Sequence, residues 1–424
     1  METRFKIVDS IMGSGKTTQM MDFMKKNPDR EYLYITPYLK EVDRVKNEMG
    51  GTFVSPPEDA YGKQNAFKQF VKEGRNIVTT HSLFLRLDEE AENLLAKRRY
   101  TLIMDEVLEV VLPYNNVREY GTQPMEPGDV PYMEEKGTIK LDEEGRVLWI
   151  EETNHGKFKY SDVQSFLEKR TLVCEERVLL WEFPMRVFKL FQEVYVLTYW
   201  FKGTVFCYYL ALHKVNYEMF SLRNGNLTPH CSDVERRMEL KRLITVIEDD
   251  RVNNVGKVDN SLSKSWYTGG GDRVKRLKTS INTVLKRYKV RSKDVMWTSF
   301  KRDYDRIRDK GYTFVRRLSK EEKLALKGEN GDKKLMCFVP CSSRATNEFR
   351  DRTFLMYLVN RYWNPELIKF FAHRGVAFKE KECARAEMLQ WIWRSAIRDG
   401  KPITIYIPSK RMRKLLVDWL DGKD

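Results

Sequence analysis

The chain has 424 residues, which is enough for about two to three domains. Apolar residues make up 42% and aromatic residues 12%, so the chain can bury hydrophobic cores and is neither a disordered tail nor a low-complexity fibre. Lys and Arg outnumber Asp and Glu by 76 to 61, which gives a net charge of +15. This excess favours a polyanionic partner such as nucleic acid, a nucleotide or an anionic membrane surface.

The first hundred residues alternate short apolar runs with helical patterns. In chain order these segments are 5–9, 17–26, 32–36, 39–49, 76–79 and 102–105. Such alternation is typical of an α/β domain with a largely parallel sheet.

A phosphate-binding motif follows the first apolar run. The sequence from Asp9 to Thr18 is Asp-Ser-Ile-Met-Gly-Ser-Gly-Lys-Thr-Thr, with Ser10 in place of the first Gly of the Walker pattern. Two glycines before a helix allow backbone N–H groups to surround phosphate oxygens. An ordinary Gly-rich turn is the alternative, but the position between a strand and a helix argues against it. The predicted nucleotide-binding residues are Gly13, Ser14, Gly15, Lys16, Thr17 and Thr18, with Lys16 on the β and γ phosphates and Thr17 on Mg²⁺.

Two adjacent carboxylates end the apolar run at 102–105. In a parallel sheet, Asp105 and Glu106 would emerge at the same edge as the phosphate loop. There Asp105 can hold Mg²⁺ through water, and Glu106 can orient and deprotonate the attacking water. Alone the pair would be an ordinary strand end, but together with the phosphate loop it favours an ATPase.

An acidic stretch then interrupts the α/β pattern. Residues 114–162 contain 11 Asp or Glu against 6 Lys or Arg. Segments 138–141 and 146–150 alternate around an Asp-Glu-Glu-Gly turn, which predicts a β-hairpin on a surface insertion at about 113–165. A strand-separating wedge is one interpretation. A solvated insertion is favoured because its charge repels phosphate.

Segment 194–212 is the most apolar of the chain. Lys202, Gly203 and Thr204 lie at its centre, where they would be costly in a membrane-spanning helix. We therefore predict a buried strand, a turn and a buried helix, and no membrane partner. The six scattered cysteines lack zinc-site spacing and the N-terminus lacks a secretory h-region, so a cytoplasmic location with reduced thiols is expected.

The second half predicts another α/β unit that is strongly basic. Its strand candidates are 215–222, 242–247, 294–298, 335–339 and 403–407, with a loop at 263–272. Residues 273–317 contain 16 Lys or Arg against 4 Asp, with aromatic residues between them. Either one helix presents a solvated basic face, or the stretch lines a groove that follows a phosphate backbone.

Three polar residues near the C-terminus recur with helical spacing. In a helix over 384–397, Gln390, Arg394 and Arg398 would share one face. This could be a solvated stripe. Alternatively, an arginine from a second domain would stabilise the γ-phosphate charge during hydrolysis.

The order of these motifs resembles that of superfamily 2 helicases along nearly the whole chain. By this resemblance 10–18 is motif I, 36–37 motif Ia, 79–82 motif Ib, 105–106 motif II, 197–200 motif III, 298–300 motif IV, 344–352 motif V and 390–398 motif VI. Segments 345–352 and 357–361 are most similar to phage-encoded relatives of the herpesvirus origin-binding helicases. Tyr199 and Trp200 depart from the small residues common in motif III.

The resemblance implies two RecA-like domains, at 1–212 and 213–424, with ATP and Mg²⁺ between them. It also implies a single-stranded or tailed nucleic-acid partner, with DNA favoured, contacted near Thr36, Thr80, Ser299 and Thr346. The expected function is a helicase or translocase in phage replication or recombination, alongside possible replication proteins. A terminase-type packaging ATPase and a nucleotide-gated origin- or partner-binding protein without unwinding are the alternatives.

Overall fold

The computed structural model describes residues 3–57, 62–116, 125–126, 128–143, 145–150, 163–164, 167, 171–313, 315–317, 333–335, 337–341 and 348–423. The chain divides into two compact units. The first comprises Met1–Cys231 together with Trp363–Glu380, and the second comprises Ser232–Tyr362 together with Lys381–Asp424. The sequence pattern placed the boundary after residue 212.

The strands and α-helices of the described residues alternate along most of the chain. In chain order the strands are β1 (Arg4–Asp9), β2 (Tyr32–Thr36), β3 (Phe53–Val54), β4 (Asn76–Thr80), β5 (Thr101–Asp105), β6 (Val111–Pro113), β7 (Ile139–Leu141), β8 (Val147–Trp149), β9 (Thr171–Glu175), β10 (Val178–Glu182), β11 (Glu193–Thr198), β12 (Tyr217–Arg223), β13 (Asn226–Pro229), β14 (Ile244–Val246), β15 (Val295–Thr298), β16 (Val315–Arg317), β17 (Lys333–Leu335), β18 (Phe354–Tyr357) and β19 (Ile403–Tyr406). The helices span Lys16–Lys26, Leu39–Glu48, Gly62–Lys72, His81–Phe84, Glu89–Ala96, Asp129–Glu135, Met185–Phe188, Val205–Leu212, Val234–Lys241, Asp250–Asn253, Lys264–Thr268, Gly271–Arg287, Tyr304–Ile307, Pro365–His373, Glu380–Ile392 and Lys410–Leu420.

The first unit is built on an eight-stranded sheet in the order β13-β12-β1-β11-β5-β2-β4-β3. All neighbouring strands are parallel except β12 and β13, which form an antiparallel pair. Val8, Ile103 and Leu197 of three strands are buried in one core with Met20 and Met24 of the following helix. Each such side chain contributes about 1.5–3 kcal/mol when fully buried. This packing fixes the start of helix Lys16–Lys26 at the carboxyl edge of the sheet.

The predicted α/β pattern is confirmed for the first unit, with one change in strand assignment. The strand predicted at 215–222 is present as β12, but it pairs with β1 in the first sheet, with Phe5 opposite Tyr217. The local apolar pattern alone predicts this strand in the second unit. The two segments are adjacent in space although they lie more than 200 residues apart, which a local pattern does not reveal.

The acidic insertion contains the predicted hairpin. Strands β7 and β8 pair antiparallel, with Ile139 opposite Trp149, and a bridge between Arg146 and Val173 links the hairpin to β9. The strands that precede and follow the hairpin in the sequence form a separate antiparallel sheet in the order β6-β10-β9. Parts of the insertion, including 117–124 and 151–162, lie outside the described residues.

A segment from the C-terminal half, Trp363–Glu380, packs within the first unit. The Glu175 carboxylate contacts both His373 at 2.5 Å and Arg374 at 2.9 Å. The Tyr208 ring lies 4.5 Å from that of Phe378 and 6.0 Å from that of Phe371, measured between centroids. No sequence pattern predicted this return of the chain to the first unit.

The second unit contains a parallel four-stranded sheet in the order β14-β19-β18-β15. The strands predicted at 242–247, 294–298 and 403–407 are confirmed, but the sequence analysis missed β18. The strand predicted at 335–339 is formed only in part: Phe338 makes an isolated parallel bridge to Trp297 of β15, whereas Leu335 belongs to β17, which pairs with β16. The predicted loop at 263–272 contains the short helix Lys264–Thr268, capped by the Ser263 hydroxyl.

Segment 194–212 folds as predicted. It begins within β11, continues through a 3-10 turn at Phe201–Gly203 and ends with helix Val205–Leu212, which is capped by Thr204. Among the described residues, none of the helices combines the length and apolar character needed to cross a membrane. All six cysteines are free thiols.

Candidate active site

The predicted phosphate loop lies between β1 and helix Lys16–Lys26. Gly13 and Gly15 have φ angles of 78° and 76°, which side chains with a β-carbon adopt only with strain. The Lys16 ammonium donates to the backbone carbonyls of Ser10 at 2.6 Å and Ile11 at 3.3 Å. The lysine therefore folds back over its own loop, at the place where phosphates would enter.

The loop and the carboxylate pair meet at the carboxyl edge of the sheet. The Thr17 hydroxyl donates to Asp105 Oδ2 at 3.1 Å, although the two residues lie 88 positions apart. Strands β1, β11 and β5 are parallel neighbours, so the ends of β1 and β5 lie at the same edge. This confirms the sequence-based expectation that the motifs at 10–18 and 105–106 come together.

Tyr34 is a third member of this cluster, and the sequence analysis missed it. Its hydroxyl donates to the same Asp105 Oδ2 at 2.9 Å, and the residue is fully buried in β2. Tyr34 lies two residues before Thr36, so proximity to a motif was available as a signal. An apolar strand pattern nevertheless treats a tyrosine as core, because the pattern does not show where the hydroxyl points.

Burial raises the pKa of the Asp105 carboxyl above its usual value, while the hydrogen bonds from Tyr34 and Thr17 and the charge of Lys16 oppose that rise. The same environment holds the pKa of Tyr34 well above its ordinary value, mainly through burial and secondly through the Asp105 charge. Tyr34 therefore acts as a neutral donor that favours the ionised form of Asp105.

Glu106 begins the segment after β5 in an unusual backbone conformation. Its φ angle is 63°, in the left-handed region that non-glycine residues rarely occupy. Its N–H donates to Leu197 O on the adjacent strand β11 at 3.1 Å. Strained backbone of this kind is concentrated at functional sites, where neighbouring bonds maintain it.

These residues fit a nucleotide with Mg²⁺. The Thr17 hydroxyl and the Asp105 carboxylate supply the hard oxygen ligands that Mg²⁺ prefers, and their contact shows that both reach one point. The Ser14 hydroxyl is buried and has no hydrogen-bond partner among the described residues, as expected of a loop built to receive a polar ligand. Thr18 follows on the exposed face of the helix.

The predicted helix carrying Gln390, Arg394 and Arg398 is wrong in extent. Helix Glu380–Ile392 ends before Arg394, and Ser395 beyond it adopts an extended backbone with ψ at −172°. Arg398 follows in the separate 3-10 helix Ala396–Asp399. The three side chains therefore do not form the continuous helical stripe expected from their spacing.

The two arginines also differ in exposure. Arg394 is 4% exposed, and its Nη1 lies 3.5 Å from Pro340 O within the second unit. Arg398 is exposed and Gln390 is half-buried. Of these residues, Arg398 is the one whose side chain faces solvent.

The predicted nucleic-acid residues are mostly inaccessible. Thr36, Thr80 and Ser299 are buried at the ends of their strands; the Thr80 hydroxyl accepts from Leu83 N–H, and the Ser299 hydroxyl donates to Phe300 O. Thr346 lies outside the described residues. A single-stranded nucleic acid passing over these strand ends would contact the surrounding backbone rather than these three hydroxyls.

The basic stretch 273–317 contains an amphipathic helix, Gly271–Arg287. Val274, Leu277, Ile281, Val284 and Leu285 form its buried face. The exposed basic residues of the helix are Arg273, Lys275, Arg276, Lys286 and Arg287. The helix therefore presents a basic outer face, which is compatible with both interpretations of the sequence.

Comparisons with known proteins find a matching family model and a relative that aligns with nearly the whole chain. The family model described as the YonV C-terminal Rossmann-like domain matches residues 238–420. The SPbeta prophage-derived uncharacterized protein YonV of Bacillus subtilis (strain 168) is 33% identical over 440 residues, covering 99% of each chain.

Two solved structures share the fold at low identity. The structure titled XPD_Helicase has a TM-score of 0.52 at 10% identity, covering 99% of this chain and 95% of its own. The structure titled XPD_APO has a TM-score of 0.50 at 11% identity, covering 96% and 92%. The predicted fold class, two RecA-like α/β domains that each contain a largely parallel sheet, is therefore confirmed.

Proposed function

The chain belongs to the YonV family, and we propose that it is a nucleic-acid-dependent ATPase of the superfamily 2 helicase or translocase type. The observation that supports this most directly is the contact between Thr17 and Asp105, which brings a phosphate loop and a strand-end carboxylate together. The shared helicase fold supports the same conclusion but does not by itself determine activity.

In the proposed reaction the chain positions ATP and a water molecule. The Lys16 ammonium, which donates to the Ser10 and Ile11 carbonyls, exchanges these hydrogen bonds for contacts with the β and γ phosphates. Thr17 and Asp105 would hold Mg²⁺, which would supply positive charge beside the phosphates. Glu106 accepts a proton from the attacking water. Arg398, which is exposed, or Arg394 stabilises the γ-phosphate charge from the second unit.

The nucleic-acid partner is proposed from charge and from the fold. The net charge of +15 and the basic outer face of helix Gly271–Arg287 favour contact with a phosphate backbone. Backbone groups beside Thr36, Thr80, Ser299 and Thr346 would contact the strand without reading its sequence.

The biological setting is proposed from relatives and motifs. YonV of Bacillus subtilis is named as prophage-derived, which supports a phage-encoded role. The resemblance of segments 345–352 and 357–361 to herpesvirus origin-binding helicases points to replication or recombination of DNA. Within 357–361, Asn360 is buried and bonds Asp259 O and Ser261 O, so at least this residue stabilises the second unit.

Strand displacement with purified protein tests the proposal. A labelled strand is annealed to form tailed duplexes of DNA and of RNA, with either tail polarity, and mixed with protein and ATP or a nonhydrolysable analogue. We expect strand displacement with ATP and none with the nonhydrolysable analogue. We also expect ATP hydrolysis to rise when single strands are added. Absence of hydrolysis with every substrate would contradict an ATPase.

Two other results would assign a different function. Nucleotide-dependent binding without displacement or stimulated hydrolysis would favour a nucleotide-gated binding protein at an origin or on a replication partner. Hydrolysis stimulated by long duplex without displacement would favour a packaging-type motor.

A further inference from the structure

The carboxyl end of β11 is hydrogen-bonded to both halves of the proposed nucleotide site. Ser10 N–H, in the phosphate loop, donates to Thr198 O at 3.1 Å. Glu106 N–H, in the carboxylate pair, donates to Leu197 O at 3.1 Å. The end of β11 therefore lies between the phosphate loop and the proposed general base and is bonded to each of them.

Asp9 completes this connection through its side chain. One carboxylate oxygen accepts the N–H of Trp200 at 2.8 Å, and the other accepts the N–H of Phe201 at 2.9 Å. Asp9 is the last residue of β1 and immediately precedes the phosphate loop. A residue with both carboxylate oxygens committed to a neighbouring turn holds that turn more firmly than a single bond would.

The turn held by Asp9 is strained. Trp200 has φ 59° and ψ 53°, a left-handed conformation that is unfavourable for a bulky side chain. The residue is 5% exposed, and the Lys202 ammonium lies 4.4 Å from the centroid of its ring. An unstrained turn would not adopt this conformation. The two hydrogen bonds that Asp9 accepts help to keep the end of β11 in place. There Leu197 O and Thr198 O accept hydrogen bonds from the N–H groups of Glu106 and Ser10.

We propose that Asp9 is a positioning residue for ATP hydrolysis: its carboxylate fixes the turn at Trp200 and Phe201 and thereby holds Glu106 in register with the phosphate loop. This inference rests on the proposed ATPase function. Asp9 binds the turn and not the nucleotide, so its loss lowers kcat while leaving nucleotide affinity nearly unchanged.

The decisive variant is Asp9→Asn, which keeps the side-chain shape but replaces one acceptor oxygen with an NH₂ group facing a backbone N–H. We expect kcat to fall about tenfold, while the dissociation constant for a fluorescent N-methylanthraniloyl-ADP changes less than about threefold. Asp9→Glu retains both acceptor oxygens and should recover part of the lost rate. Asp88→Asn is the matched control, since Asp88 also accepts a backbone N–H, from Ala91, at a helix start outside the site.

Amide hydrogen exchange gives a readout that does not depend on turnover. In Asp9→Asn the amides of Trp200, Phe201 and Glu106 should all exchange faster than in wild type, whereas a purely local defect would affect Trp200 and Phe201 alone. In the wild-type protein, adding ADP should change exchange of these same amides at least about threefold. The measurement with ADP needs only the wild-type protein, so it tests the connection even if the variant does not fold.

The outcomes separate this inference from the proposed function. A wild-type protein that hydrolyses no ATP contradicts the proposed function. Wild-type hydrolysis with an unchanged kcat in Asp9→Asn overturns the positioning role, as does a parallel loss of nucleotide affinity and rate. Unchanged exchange at Glu106 in Asp9→Asn, or exchange unaffected by ADP in wild type, overturns the connection through β11.

Discussion

The two regions predicted to meet at ATP are built very differently. At the carboxyl edge of the first sheet, Thr17, Tyr34 and Asp105 are joined by direct hydrogen bonds. In the second unit, the segment from Gln390 to Arg398 is broken at Ser395, with one arginine buried and the other exposed. The first region is already held together by direct hydrogen bonds, whereas the second holds its two candidate arginines in different environments. Substitutions in the first region should therefore affect binding and chemistry directly, and those in the second should affect mainly stimulated turnover.

The largest effects are expected at Lys16 and Glu106. Lys16→Ala removes the cation that grips the phosphates and should abolish nucleotide binding or turnover. Glu106→Gln should retain binding but lose at least about 100-fold in hydrolysis, because it cannot accept a proton. Equilibrium binding and steady-state ATPase assays distinguish these outcomes. Lys25→Ala, on the exposed face of the same helix, is the control, and wild-type turnover in both test variants would remove this site from the mechanism.

The arginine variants test whether the second region takes part at all. Arg398→Ala should reduce nucleic-acid-stimulated hydrolysis by about 100-fold or more if it is the finger, with little change in thermal stability because the side chain is exposed. Arg394→Ala removes a buried side chain and should also lower the free energy of unfolding by about 1–3 kcal/mol. Stimulated rates and thermal unfolding are measured for both. If neither variant slows hydrolysis, the assignment of motif VI is wrong.

The basic helix provides a smaller, electrostatic test of the second unit. Replacing Arg273, Lys275 and Arg276 with Gln should make the slope of log affinity for single strands against log salt concentration shallower by up to about 2. Lys72, Lys97 and Arg99, which are exposed near the amino end of the first sheet, form a charge-matched control set. Binding is measured by fluorescence anisotropy at several salt concentrations. Equal slopes for the two triple variants would favour a solvated basic face.

The smallest effect is expected at Tyr34. Tyr34→Phe removes one donor to Asp105 but leaves Thr17 in place, so we expect a loss of about threefold to tenfold in kcat and about 1 kcal/mol in stability. Tyr32→Phe is a matched control on the same strand, because the Tyr32 hydroxyl donates to Asn27 O instead. Steady-state kinetics and denaturant unfolding are compared. Equal kinetic effects in the two variants would exclude a specific role for the Tyr34 hydroxyl.

The first unit shows where sequence patterns were sufficient. The phosphate loop and the strand ending in Asp105 were predictable because each depends on local order: apolar runs form strands, and glycines with positive φ precede a helix. Their meeting was also predictable, since parallel strands end at a common edge. Helix 384–397 was not predicted correctly, because spacing gives a helical face but does not show where the helix ends, which is at Ile392.

The sequence by itself determined the α/β class, the strand-loop-helix order around Gly13 and Gly15, and the strand that ends in Asp105, all of which follow from local periodicity and turn chemistry. Only the tertiary structure decided that β12 joins β1, that segment Trp363–Glu380 packs in the first unit, and which oxygens Tyr34 and Asp9 contact. These contacts join residues that lie between 71 and more than 200 positions apart. Their geometry is set by the packing of whole strands and helices, and a local pattern of apolar and polar residues does not contain it.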